Sequence, residues 1–106
     1  MTQSTEGEWI AVAPLERVPN GRGLCVVVND MPVALFKWND AVYAIDDRCP
    51  HMGMSLSTGT MTDGVVECPW HAWQFRLKDG TWVNSPKLKI GCYEVRVQGD
   101  EVQVKL

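Results

Sequence analysis

Long apolar runs are missing from this 106-residue chain, and none approaches the roughly 20 residues that a membrane-spanning helix requires. Basic clusters are missing too. Ten Lys and Arg stand against thirteen Asp and Glu, a net charge of −3, so nothing is available to neutralise a phosphate backbone and nucleic acid is excluded as a partner. The first residues, Met1-Thr2-Gln3-Ser4-Thr5-Glu6, lack the basic-then-apolar pattern of a secretory signal, which makes the cytoplasm the expected compartment. There is no internal repeat, low-complexity tract or linker, and a single domain over 1–106 is expected. Phosphate-binding glycine loops are absent, and only two histidines occur in the chain. Acid–base or nucleophilic catalysis therefore has few groups to draw on. Finally, no segment keeps a helical apolar period beyond about two turns, which points to an all-β fold.

What is present is a series of short strands broken by turn signals. Leu24–Val28 and Met31–Trp38 flank Asn29-Asp30, and Ala41–Asp46 follows Asn39-Asp40, the pattern of a β-meander with tight hairpins. Near the C-terminus Tyr93, Val95 and Val97 alternate with polar residues. After Gly99-Asp100, Val102, Val104 and Leu106 do the same, giving two half-buried antiparallel strands. Residues 47–62 interrupt this rhythm with Gly, Ser and Thr. Short strands over 65–68 and 74–77 then enclose a second loop, 68–73, before Asp79-Gly80 turns the chain. A long irregular insertion in a small β domain needs something to organise it.

Both histidines follow a Cys-Pro: Cys49-Pro50-His51 and Cys68-Pro69-Trp70-His71, with sixteen residues between His51 and Cys68. A lone Cys is commonly a small buried hydrophobe and a lone His a surface residue. That reading does not explain why both histidines fall at chelate spacing from two of four cysteines, so metal ligation is expected at Cys49, His51, Cys68 and His71. One thiolate and one imidazole per loop suits a dinuclear iron–sulfur centre. A mononuclear zinc site stays open as the alternative.

Cys-Pro-His-Met-Gly and Cys-Pro-Trp-His-Ala-Trp-Gln-Phe resemble the two cluster-binding boxes of Rieske proteins, and the meander, loops and closing hairpin are similar to small bacterial Rieske ferredoxins over nearly the whole chain. The resemblance implies a Rieske fold: an antiparallel sandwich or meander base with an inserted cluster-binding subdomain over 47–86. It implies one [2Fe–2S] cluster, with Cys49 and Cys68 on an inner iron and His51 and His71 on an outer one, and Pro86 in a third covering loop. It also implies a soluble one-electron carrier, not a catalyst by itself, that passes electrons from a flavin reductase to a terminal oxygenase. The alternative is the small subunit of an assimilatory nitrite reductase.

Departures from the family pattern carry information. Met54 and Trp70 stand where high-potential Rieske proteins have a disulfide pair, and Trp73 and Phe75 where they have hydroxyl donors to the cluster and its sulfurs. Fewer donors stabilise the reduced cluster less, which predicts a potential near the low end of the Rieske range, roughly −150 mV. Ala72 replaces a common Gly, at a cost if that position requires φ > 0. Charges are absent from 49–62 and from 68–75, so an apolar tip formed by Met52, Met54, Leu56, Trp70 and Trp73 is the expected docking surface for redox partners. Asp46, Asp47, Arg48, Lys87 and Lys89 are the candidates for its charged rim. A monomer is expected. Cys25 reads as a core residue and Cys92 as partly exposed, with a disulfide between them left open by the sequence.

Overall fold

A computed structural model describes residues 9–48, 55–69 and 73–105. Among these residues eleven strands form two antiparallel sheets: β1 (Trp9–Pro14), β2 (Leu24–Val28), β3 (Met31–Trp38), β4 (Ala41–Asp46), β5 (Thr60–Thr62), β6 (Val65–Glu67), β7 (Gln74–Arg76), β8 (Thr81–Trp82), β9 (Ser85–Lys89), β10 (Cys92–Gln98) and β11 (Glu101–Lys105). The six-stranded sheet runs β1-β11-β10-β4-β3-β2 and the five-stranded sheet runs β5-β6-β7-β8-β9. The two edges of the larger sheet, β1 and β2, also touch, so it curls towards a barrel. Single 3-10 turns, Leu15–Arg17 and Leu56–Thr58, are the helical elements among the described residues. None is long and apolar enough to cross a membrane.

The hairpins form where their chemistry demands. Asn29-Asp30 and Asn39-Asp40 both hold positive φ at each central residue, as does Asp63-Gly64 between β5 and β6. This is the type I′ geometry whose twist matches the flanking strands, and Asn and Asp tolerate it best after Gly. The meander and the C-terminal hairpin are thus as expected. β1, β5, β8 and β9 were not anticipated. Pro86, expected in a loop, is the second residue of β9, an edge strand where a missing N–H leaves no ladder bond broken.

β3 is buried on both faces from Val33 to Phe36 and divides the interior. Val33 and Leu35 point into the curled sheet, against Val18, Val28, Ala44, Val102 and Val104. Ala34 and Phe36 point outward into a second core with Ile45, Leu56, Val66, Cys68, Phe75 and Leu77. Each fully buried large side chain contributes about 1.5–3 kcal/mol by transfer from water. The second core joins the five-stranded sheet to the first, and the loops of interest rise from it.

Pairing register also settles the thiols. Cys25 lies opposite Ala34, Ala34 opposite Ile45, and Ile45 opposite Cys92, so the four form one row across β2, β3, β4 and β10. Three strand spacings, roughly 14 Å, separate the two cysteines, far beyond the ~7 Å Cα limit of a disulfide. Both thiols are free and exposed. Cys25 is therefore not a core residue: it lies on the edge strand β2 with its side chain exposed. Burial of its Sγ, and then the nearby Asp47 carboxylate, still push its pKa up.

Candidate metal centre

Of the four expected ligands, Cys68 falls within the described residues; Cys49, His51 and His71 lie outside them, as do Met52, Met54, Trp70 and Ala72. The structure does describe the roots from which both ligand segments rise. The first segment, 49–54, leaves the end of β4 and returns at Ser55. Arg48 and Ser55 pair as an isolated antiparallel bridge, and the Leu56 N–H donates to the Asp47 carbonyl at 2.6 Å. The Asp47 carboxylate completes the closure. It accepts from the Ser55 hydroxyl at 2.6 Å and from the Ser57 N–H at 2.8 Å. Just beyond, the Gly23 N–H donates to the Ser57 carbonyl at 3.2 Å, holding the 3-10 turn against the residue that leads into β2.

At the root of the second segment, 69–72, the Cys68 N–H donates to the Trp73 carbonyl at 2.6 Å. Cys68 is 1% exposed and packs with Leu56, Val66 and Phe75. Since Thr60 pairs with Glu67, the register carries Gly59 to the position opposite Cys68. A Cβ at Gly59 would overlap the Glu67 carbonyl oxygen, so only glycine lets the chain pass so close to the Cys68 root. Trp73 stacks on Trp82, ring centroids 4.3 Å apart and planes 14° from parallel, and both pack against the same core. The roots of the two candidate ligand segments thus share one hydrophobic cluster, on the face of β3 away from the curled sheet.

Several surface assignments are corrected by this geometry. Leu56 is fully buried and belongs to the core, not to a docking tip. Trp73 is half-buried against Trp82 and fixes the root of the second segment. Asp47 is 4% exposed and serves as a buried clamp, whereas Arg48, Lys87 and Lys89 do face solvent. A charged residue two positions before a ligand reads as surface in sequence, so nothing there signalled the burial. No local pattern distinguishes Ser55, Ser57 and Gly59 within their Gly/Ser/Thr-rich stretch either.

A buried thiol at the root of a tightly closed loop fits a cysteine that grips the inner metal of a cluster, and it fits a solvent-exposed site poorly. A family model for the Rieske [2Fe–2S] domain matches residues 8–94. The chain belongs to the Rieske family. Among its relatives, the 3-phenylpropionate/cinnamic acid dioxygenase ferredoxin subunit of Shigella flexneri is 36% identical over 99 residues, 92% of each chain. A chain in the solved complex of reduced oxygenase and oxidised ferredoxin of carbazole 1,9a-dioxygenase is 34% identical, with 92% of each chain covered and a TM-score of 0.80. A Mycobacterium tuberculosis protein assigned as an NADH-dependent nitrite reductase small subunit superposes with a TM-score of 0.86 at 28% identity, covering 94% of this chain and 96% of its own. As a Rieske protein the chain takes one [2Fe–2S] cluster and is an electron-transfer component, not itself an enzyme.

Proposed function

We propose that this Rieske protein is the ferredoxin of a ring-hydroxylating dioxygenase system, taking single electrons from a flavin reductase and delivering them to a terminal oxygenase. The observation that carries the reading is the buried Cys68 at a closed loop root in a chain whose relatives over nearly full length are dioxygenase ferredoxin subunits. In this reading Cys49 and Cys68 hold one iron, His51 and His71 the other, and 47–86 is the cluster-binding subdomain within the single domain 1–106. Bound there, the cluster supplies a reversible one-electron couple. The protein's part is to hold the ligand segments in one geometry in both redox states. The closed roots at Asp47–Ser57 and Cys68–Trp73 favour this, because rigid ligands leave little to reorganise.

Partners would dock at an uncharged tip near Met52, Met54 and Trp70, ringed by Arg48, Lys87 and Lys89, a small interface that releases quickly. A monomer working in the cytoplasm fits the two exposed free thiols. The fold likeness to an assigned nitrite reductase small subunit sustains a second reading, a fixed subunit of such an enzyme. Genes for an oxygenase and a reductase beside this one favour the first, a gene for a large sirohaem subunit the second. The direct test is the visible and EPR spectrum of the purified protein. A coloured sample that gains an EPR signal on one-electron reduction is expected; a colourless, EPR-silent sample with stoichiometric zinc would overturn the reading.

A further inference from the structure

Asp46 and Asp47 are consecutive at the end of β4, so strand alternation sends their carboxylates to opposite sides. Asp46 turns to the base sheet, where the Tyr93 hydroxyl donates to it at 2.5 Å and the Gly91 N–H at 2.7 Å. Asp47 turns to the first ligand segment. Its two oxygens take the Ser55 hydroxyl and the Ser57 N–H, the Ser55 and Ser57 hydroxyls lie 2.8 Å apart, and its carbonyl accepts from Leu56. Its own N–H donates to the Pro32 carbonyl at 3.1 Å and thereby prolongs the β3–β4 ladder. One buried residue is therefore bonded to the sheet on one side and to three consecutive residues beyond the segment on the other.

Burying a carboxylate is costly, and an apolar side chain would serve core packing at lower cost. A carboxylate offers what an apolar side chain does not: two acceptor atoms at a fixed separation, each aimed at a different donor. We propose that Asp47 is the positioning residue of segment 49–54, its carboxylate fixing the distance between the segment's two ends and so governing how firmly the cluster is retained and at what potential it is reduced. The proposal rests on the reading of Cys49 and His51 as ligands.

The test uses the cluster-loaded full chain, with Asp47→Ala, Asp47→Asn, Ser55→Ala and Tyr93→Phe. Three quantities are measured: loss of visible absorption in excess iron chelator, midpoint potential, and thermal midpoint. Asp47→Ala is expected to lose the cluster roughly tenfold faster or more, as leaving buried donors without an acceptor implies. Its midpoint potential moves outside replicate scatter. Ser55→Ala shifts both in the same direction by less. Asp47→Asn keeps an acceptor for the Ser57 N–H and returns most of the way to wild type. Tyr93→Phe breaks the bond on the opposite face of the strand, so it lowers the thermal midpoint while chelation rate and potential stay at wild-type values. Wild-type retention and potential in both Asp47→Ala and Ser55→Ala would overturn the proposal, as would a Tyr93→Phe variant that loses the cluster as fast and shifts the potential as far as Asp47→Ala. Should Asp47→Ala fail to fold, Ser55→Ala and Asp47→Asn decide it. A wild-type chain that takes up no cluster would overturn the ligand reading itself.

Discussion

Tyr93 offers the most quantitative check on the base of the structure. Burial of the phenol, and then its hydrogen bond and proximity to the Asp46 carboxylate, raise its pKa from 10.0 to about 12. The folded state therefore holds this proton more tightly than the unfolded chain does. The stability it confers is fully present below about pH 10, and it drains away as the pH rises through about 12. A shift of that size is worth about 2.7 kcal/mol if fully felt. The ring is only partly buried, so solvent screening cuts this to about 1 kcal/mol. In a domain of this size about 1 kcal/mol moves the thermal midpoint by roughly 4–8 °C. Wild type should accordingly melt above Tyr93→Phe at pH 8, and the gap should close between pH 10 and 12. Only Tyr43 and Tyr93 carry phenols, so a Tyr43→Phe background isolates the second. Its absorbance at 295 nm should titrate with a single midpoint near 12. A midpoint near 10, or a melting gap that stays constant from pH 8 to 12, would refute burial of the phenol against the Asp46 carboxylate as the source of the shift.

Gly59→Ala should lower the thermal midpoint by the equivalent of about 1–3 kcal/mol, because the new Cβ must push against the Glu67 carbonyl oxygen; an unchanged midpoint would mean that β5 and β6 are not so closely apposed. Redox titration should give a midpoint near the low end of the Rieske range, roughly −150 mV, and it should fall with rising pH in the alkaline range as ligand imidazoles deprotonate. A clearly positive midpoint, or one flat to strongly alkaline pH, would count against this ligand environment. Met52→Glu should slow electron transfer to the physiological redox partner without altering the midpoint, and unchanged transfer kinetics would remove the tip from consideration as a docking surface.

How legible all this was in the sequence varied with how local the determinant is. The hairpins at Asn29-Asp30 and Asn39-Asp40 are written in two residues that tolerate positive φ, and they form as read. The ligand boxes are equally local, and Cys68 is buried at a loop root. Short strands such as β5 and β8 pair over two or three residues, too few for an alternation to register, and they form because β6 and β7 stand beside them. Cys25 sits in an apolar run that suggests the core, yet only alternate residues of an edge strand face it. Asp47 departs furthest from its expected place on a charged rim. Its burial follows from donors supplied by Ser55 and Ser57, eight and ten residues further on, and no local pattern marks it.

The absence of hydroxyl donors at positions 73 and 75 links packing to potential. Phe75 is fully buried between Val66 and Trp82 in the pairing of β6, β7 and β8, and Trp73 is stacked flat on Trp82. These rings bind the second ligand segment to the core through buried apolar area, which a Ser at 73 could not supply. In such a small sheet, whose strands run only two to five residues, that area is a large part of what holds the root still. A Ser at 73 would give up the ring that stacks on Trp82, whereas a Tyr at 75 would keep the ring and add the hydroxyl, so packing and donation exclude each other at 73 alone. Under the proposed ligand set, firm anchoring by Trp73 and a low reduction potential would thus be two consequences of one choice of side chain.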